Sequence, residues 1–108
     1  MPAVVSKAIS NTNQWVELIA VPSSGLQYAT VSINIVNRNA NAATLKLAVT
    51  NVAGTTPGAA DFIEDGGTIN GSGGKYEYEY FILNPGEKIL FQSSNSDCVA
   101  RAHGLTKV

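Results

Sequence analysis

The chain has 108 residues, 44% of them apolar and 14% charged, with a formal charge of -1. That length holds one core and leaves no room for a separate catalytic lobe. So few charges, nearly balanced, exclude the basic footprint of a nucleic-acid or anionic-membrane binder, and they leave a surface of Ser, Thr, Asn, Gly and Ala that suits burial against other proteins.

Cys98 is the single cysteine. No internal disulfide can form, and the residue reads as a small core side chain. Residues 1–10 carry neither the basic n-region nor the apolar h-region of a signal peptide, and no stretch approaches the roughly 18 apolar residues of a spanning helix. The expectation is a protein made in the cytoplasm, with no export and no membrane partner.

In chain order, residues 2–9 alternate weakly, with Val4 or Val5 as inward candidates. They read as a first edge strand or an arm, so residues 1–10 are set apart from a domain over residues 11–108. Residues 14–21 form a strand with Trp15, Glu17 and Ile19 on one parity and Val16, Leu18 and Ala20 on the other, stopped by Pro22, Ser23, Ser24 and Gly25. Residues 27–50 give the clearest signal. Ala29, Val31, Ile33 and Ile35 alternate with Thr30, Ser32 and Asn34, and Leu45, Leu47 and Val49 alternate with Thr44, Lys46, Ala48 and Thr50. The Asn-rich residues 37–41 between them tolerate left-handed backbone angles, which predicts a β-hairpin whose apolar residues share one sheet face and one core.

Residues 53–74 hold seven of the ten glycines and read as loop. Thr56 and Pro57 can open a short helical turn through Ala60. Phe62, Ile63 and Glu64 form a short strand, and Asp65-Gly66-Gly67 and Asn70-Gly71 are turn sequences that reverse the chain. Residues 75–83 are a strand with Tyr76, Tyr78 and Tyr80 on one side and Lys75, Glu77 and Glu79 on the other. Asn84-Pro85-Gly86 fits a type II turn. Residues 87–92 run onward with Ile89 and Phe91 in parity, and a last strand over residues 97–105 turns Cys98, Ala100 and Ala102 inward and Val99, Arg101 and His103 outward. No segment longer than a turn has helical periodicity. The fold class is therefore all-β: a single β-sandwich, Ig-like or jelly-roll-like, of about seven or eight antiparallel strands with Greek-key connections and no substantial helix.

Catalytic patterns are missing from the sequence. His103 is the lone histidine, with no second or third partner on its strand for a nucleophile relay. Asp61, Glu64 and Asp65 cluster in a glycine-bearing loop but lack the spacing of a calcium loop. Glu77 and Glu79, two apart on a strand, share a face and cannot flank a glycosidic bond. No cofactor, metal or catalytic residue is assigned. The three tyrosines leave three readings open: core, protein interface, or a platform for sugars with Trp15 as companion.

The strand pair ATVSINIVNRNANAATLKLAVT, the segment PGAADFIE (residues 57–64), the turn LNPGE (residues 83–87) and the closing ARAHG (residues 100–104) occur in the order and spacing of a known group. In these motifs the chain resembles small β-sandwich virion proteins of tailed bacteriophages. Tyr78 and Tyr80 depart from the pattern, standing where smaller or polar residues are expected, and Ala102 replaces a bulkier apolar residue. The resemblance implies a non-enzymatic virion structural protein, with capsid decoration as first reading. A neck, tail or baseplate accessory, or a sugar-binding module for host attachment, is the alternative. It implies the major capsid or tail protein and copies of the chain itself as partners, as a homo-oligomer on the particle. Candidate contact residues are Trp15, Tyr78, Tyr80, Val4 and Val5.

Overall fold

The structure is a computed structural model that describes residues 3–22 and 28–107, the side chains of Ala3, Val4, Tyr80, Phe81, Thr106 and Lys107 excepted. The expected stop over Ser23, Ser24 and Gly25 lies outside the described residues. Within them are eight strands: β1 (Ala3–Ile9), β2 (Val16–Ala20), β3 (Tyr28–Asn37), β4 (Ala43–Thr50), β5 (Phe62–Ile69), β6 (Gly74–Leu83), β7 (Lys88–Ser93) and β8 (Cys98–Lys107). They make two four-stranded sheets, β1-β8-β3-β6 and β2-β7-β4-β5, with antiparallel ladders throughout. Among the connections only β4 to β5 stays within a sheet. Eight strands that shuttle in this order between two sheets are a jelly roll, the second of the two sandwich forms expected.

The alternation in β3 and β4 holds residue by residue. Ala29, Val31, Ile33, Ile35, Leu45 and Leu47 have no exposed surface and belong to one core with Leu83, Ile89, Phe91 and Cys98. The hairpin does not hold. β3 pairs with β6 and β8, and β4 pairs with β5 and β7, so the core residues of the two strands face each other across the sandwich instead of sharing a face. Residues 38–42 form an arch between sheets, and asparagine side chains build it. The Asn39 and Asn41 amides donate to Asn37 Oδ1 and Asn39 Oδ1, each at 3.0 Å. Buried Asn37 donates through Nδ2 to the carbonyls of Asn41 at 2.9 Å and Ile69 at 3.3 Å. Neither Asn37, Asn39 nor Asn41 adopts positive φ; local side-chain hydrogen bonding, the other property of asparagine, shapes the bend.

Of the two readings of the first segment, edge strand and arm, the edge strand holds: β1 pairs with β8 from Ala3↔Leu105 to Ile9↔Val99. Other segments differ from expectation for definable reasons. Ala8 packs on the core, which turns Val5, of the opposite parity, to solvent rather than inward. The short helical turn is 3-10, over Ala59–Asp61, and it starts after Gly58 instead of at Thr56, because Asp61 Oδ2 accepts from the Gly58 amide at 2.9 Å. Asp65-Gly66-Gly67 does not reverse the chain. β5 runs through it, with Leu45 opposite Gly67 and Lys46 opposite Asp65, so that Gly66 is the extra residue of a bulge. The turn at Asn84-Pro85-Gly86 is as expected, with the Glu87 amide donating to the Asn84 carbonyl at 3.0 Å and Gly86 at φ 83.

Candidate interaction surface

Register and parity define the outer face of the β1-β8-β3-β6 sheet as four rows. The first is Ala3, Leu105, Thr30 and Ile82; the second Val5, His103, Ser32 and the bulge at Glu79 and Tyr80; the third Lys7, Arg101, Asn34 and Glu77; the fourth Ile9, Val99, Val36 and Lys75. Large apolar side chains stand at both ends of this face, with Val5 53%, Leu105 43% and Ile82 59% exposed at one end and Ile9 49% exposed at the other. Only Ile63, on β5, is comparably exposed among the other described apolar residues. Val5, Leu105 and Ile82 cluster at one end, an apolar area rimmed by polar residues of the kind that marks interaction sites.

Between the apolar ends runs a charged band with its signs segregated. Lys7 and Arg101 are cross-strand partners on β1 and β8, Glu77 and Glu79 lie on β6, and Asn34 stands between. None of these four charges has an ion-pair partner among the described residues; the ion pairs found there are Arg38 with Asp97 at 3.6 Å and Lys88 with Glu17 at 3.9 Å. Placing two like charges directly opposite in a sheet is unfavourable, and no described residue forms an ion pair with either. A shallow cleft of about 300 Å³ opens on the face, lined by Ser32, Asn34, Glu77, Tyr78, Glu79 and His103. The fold thus brings a hydroxyl, an imidazole and carboxylates together from three strands, which the spacing within any one strand cannot reveal. His103 Nδ1 is covered and has no hydrogen-bond partner, so the orienting bond by which a carboxylate holds a catalytic imidazole is not made at that nitrogen.

Tyr76 and Tyr78 share one side of β6, as the alternation predicts. Tyr76 and Tyr78 lie opposite Ile35 and Ile33 and pack half-buried against the core, and the bulge at Glu79 and Tyr80 ends the alternation before Leu83 returns inside. Their rings are 5.3 Å apart and inclined at 34°. Both hydroxyls donate to Glu64 Oε1 of β5, that of Tyr78 at 2.6 Å. The Tyr76 bond, followed by that from Tyr78, holds the Glu64 carboxyl below the usual carboxylate range. Glu64 in turn raises Tyr76 above the ordinary phenol value, and burial first, then Glu64, raises Tyr78. Two of the three hydroxyls are thus committed to this bridge.

Trp15 packs edge-on against Phe62, with ring centroids 5.5 Å apart and planes at 85°. Phe62 pairs with Ala48, and Ala48 with Leu90. Ala48 and Leu90 have no exposed surface yet stand outside the core cluster. They belong to the outer face of the second sheet, where Trp15 and Phe62 form an apolar cover. Trp15 therefore retains only part of its ring for a partner. Among the other contact candidates, Val5 is exposed, while the side chains of Val4 and Tyr80 lie outside the described residues. Leu105, Ile82 and Ile9 were missed; the outward parity of β8 was readable, but that β1, β8, β3 and β6 form one sheet was not. Cys98 is buried, its Sγ 3.2 Å from Ser93 Oγ and 3.5 Å from Asn37 Oδ1. Asp61, Glu64 and Asp65 do not converge, and no group of three metal-binding side chains occurs among the described residues.

The chain matches no family model and no curated protein.

Proposed function

We propose that this protein is a non-enzymatic structural component of a bacteriophage virion, a capsid decoration module that works through repeated protein-protein contacts. The observation that carries the reading is the outer face of the β1-β8-β3-β6 sheet, where Val5, Leu105, Ile82 and Ile9 are exposed around a band of unpaired charge. A surface of this kind is costly for a protein that acts alone and useful to one packed into an array, where symmetry multiplies a modest contact into avidity. The motif order shared with phage sandwich proteins supports the same reading. The jelly-roll order is compatible with it as a fold-level analogy, since capsid proteins and lectins both use it.

The partners in this reading are the major capsid or tail protein and further copies of the chain. The test is composition. Purified particles should carry the chain in many copies and keep it through washing at moderate salt, because with 14% charged residues little of its attachment is screened. Particles that lack the chain, with all of it left in the lysate, would reject the proposal.

A further inference from the structure

We infer that the outer face of the β1-β8-β3-β6 sheet is a self-complementary surface whose occupant is the same face of a second copy, related by a two-fold axis parallel to the strands. The inference deepens the building-block reading above and rests on it. A half-turn about such an axis lays β1 of one copy over β6 of the other and β8 over β3, row upon row. The third row then sets Lys7 of each copy against Glu77 of its mate and Arg101 against Asn34, with both acidic residues of β6 close by. The first row gathers Leu105 and Ile82 of both copies at one end, and the fourth gathers Val99 and Val36 at the other, with the Lys75 stem laid along Ile9. Sheet twist fans the strands of the two layers by about 30° and leaves the central rows facing.

The segregation of charge selects this axis. A two-fold axis across the strands at the third row would lay each strand on its own counterpart, setting Lys7 on Lys7, Arg101 on Arg101 and Glu77 on Glu77, with Lys75 against Glu79 as the one opposite-sign contact, and like charges across an interface are strongly rejected. The parallel axis sets Lys7 against Glu77 twice over and gives Lys7 and Arg101, side by side on one sheet, counter-charges that the described residues of the lone chain do not supply. In flat projection the face covers on the order of 400 Å² at strand spacings of about 4.8 Å and rises of about 3.4 Å per residue. A standard interface buries roughly 800 Å² per partner. The pair is accordingly weak and reversible in solution, and becomes persistent where many copies are held together.

Charge reversal at exposed Lys7 and Glu77 tests the geometry. Sedimentation of the intact chain from about 10 μM to about 1 mM, the range where weak complexes form, should show reversible dimers. Lys7→Glu and Glu77→Lys should each weaken them by about tenfold or more. An equimolar mixture of the two variants should associate again, because every facing pair then has opposite signs. The double variant should behave like the parent for the same reason. Circular dichroism shows that each variant is folded before it is scored, and Lys7→Asp with Glu77→Arg is the second pair if either fails to fold. A chain monomeric throughout the range, reversals without effect, or a mixture that stays dissociated would each overturn the inference. If particles still carry the chain when the pair fails, the building-block reading stands without it; if the pair forms but particles lack the chain, only that reading falls.

Discussion

The Tyr78 hydroxyl donates a 2.6 Å hydrogen bond to Glu64 Oε1, and because the two residues belong to edge strands of opposite sheets, this bond and its Tyr76 neighbour fasten one side of the sandwich. Tyr78→Phe keeps the ring and removes the bond. A hydrogen bond to a charged group contributes about 1.5 to 3 kcal/mol when buried. This half-exposed one should be worth about 1 kcal/mol, after discounting for solvent screening. Urea unfolding should show a lower midpoint with an unchanged slope. No change in midpoint would mean the bond contributes nothing to the fold.

The same bridge sets a pH dependence at both ends of the scale. The folded-state pKa of Glu64 is depressed, so its contribution is present above the unfolded value of about 4.3 and is lost as pH falls through the folded one. Those of Tyr76 and Tyr78 are raised, so their contribution is complete below about 10 and disappears as pH rises through the folded values. Unfolding midpoints measured against pH should show a plateau between these limits. Glu64→Gln should flatten the acid limb, and Tyr76→Phe with Tyr78→Phe should flatten the alkaline one.

Ile33 lies in the middle of β3 with no exposed surface, flanked by ladders to β6 and β8. Ile33→Ala should cost about 2 to 5 kcal/mol, as lost transfer energy plus a cavity that two paired neighbours cannot close. A loss under about half a kcal/mol by denaturant titration would contradict its position in the core.

Gly104 sits opposite Val31, where β8 passes β3 so closely that a Cβ would lie 1.7 Å from the Thr30 carbonyl oxygen. That atom is backbone and cannot rotate away. Gly104→Ala should force the central strands apart and cost about 3 kcal/mol or more, the upper end for overpacking. Thermal unfolding followed by circular dichroism measures it, and an unchanged midpoint would refute the close approach.

Trp15 is the one tryptophan, so its fluorescence reports on the apolar cover alone. Trp15→Ala should cost about 2 kcal/mol, less than the 3 to 5 of a fully buried ring, because Leu90 and Ala48 become wet while the main core remains. Phe62→Ala should shift the emission of Trp15 to longer wavelength. Emission unchanged from that of the parent would show that the edge-on contact does not hold the indole.

Period-two alternation revealed which side of β3, β4, β7 and β8 meets a core, since hydrophobic burial acts on each strand separately. It could not reveal which sheet each strand joins. Ile33 and Leu47 have the same parity whether residues 38–42 make a hairpin or an arch, and the choice is settled by Asn37 reaching the Ile69 carbonyl, a contact distant in sequence. The bulges at Leu18, Gly66 and Glu79-Tyr80 were invisible for a related reason: an extra residue changes parity only relative to a partner strand. The candidate surface suffered most. Val5 was named, but Leu105 and Ile82 join it only through the strand order, and Glu64 meets Tyr78 only because two edge strands happen to overlie each other.

That strand order also governs how the chain can reach its native state. β8 sits between β1 and β3 and pairs Ala3 with Leu105, so the first sheet cannot close until the segment after Cys98 has been synthesised. Until then the apolar sides of β1 and β3 have no ladder between them. Topologies dominated by such distant pairings fold in milliseconds to seconds, because loop-closure entropy is lost before contacts offset it. On the ribosome this interval leaves unpaired strand flanks open to neighbouring nascent chains, and folding must outpace that encounter.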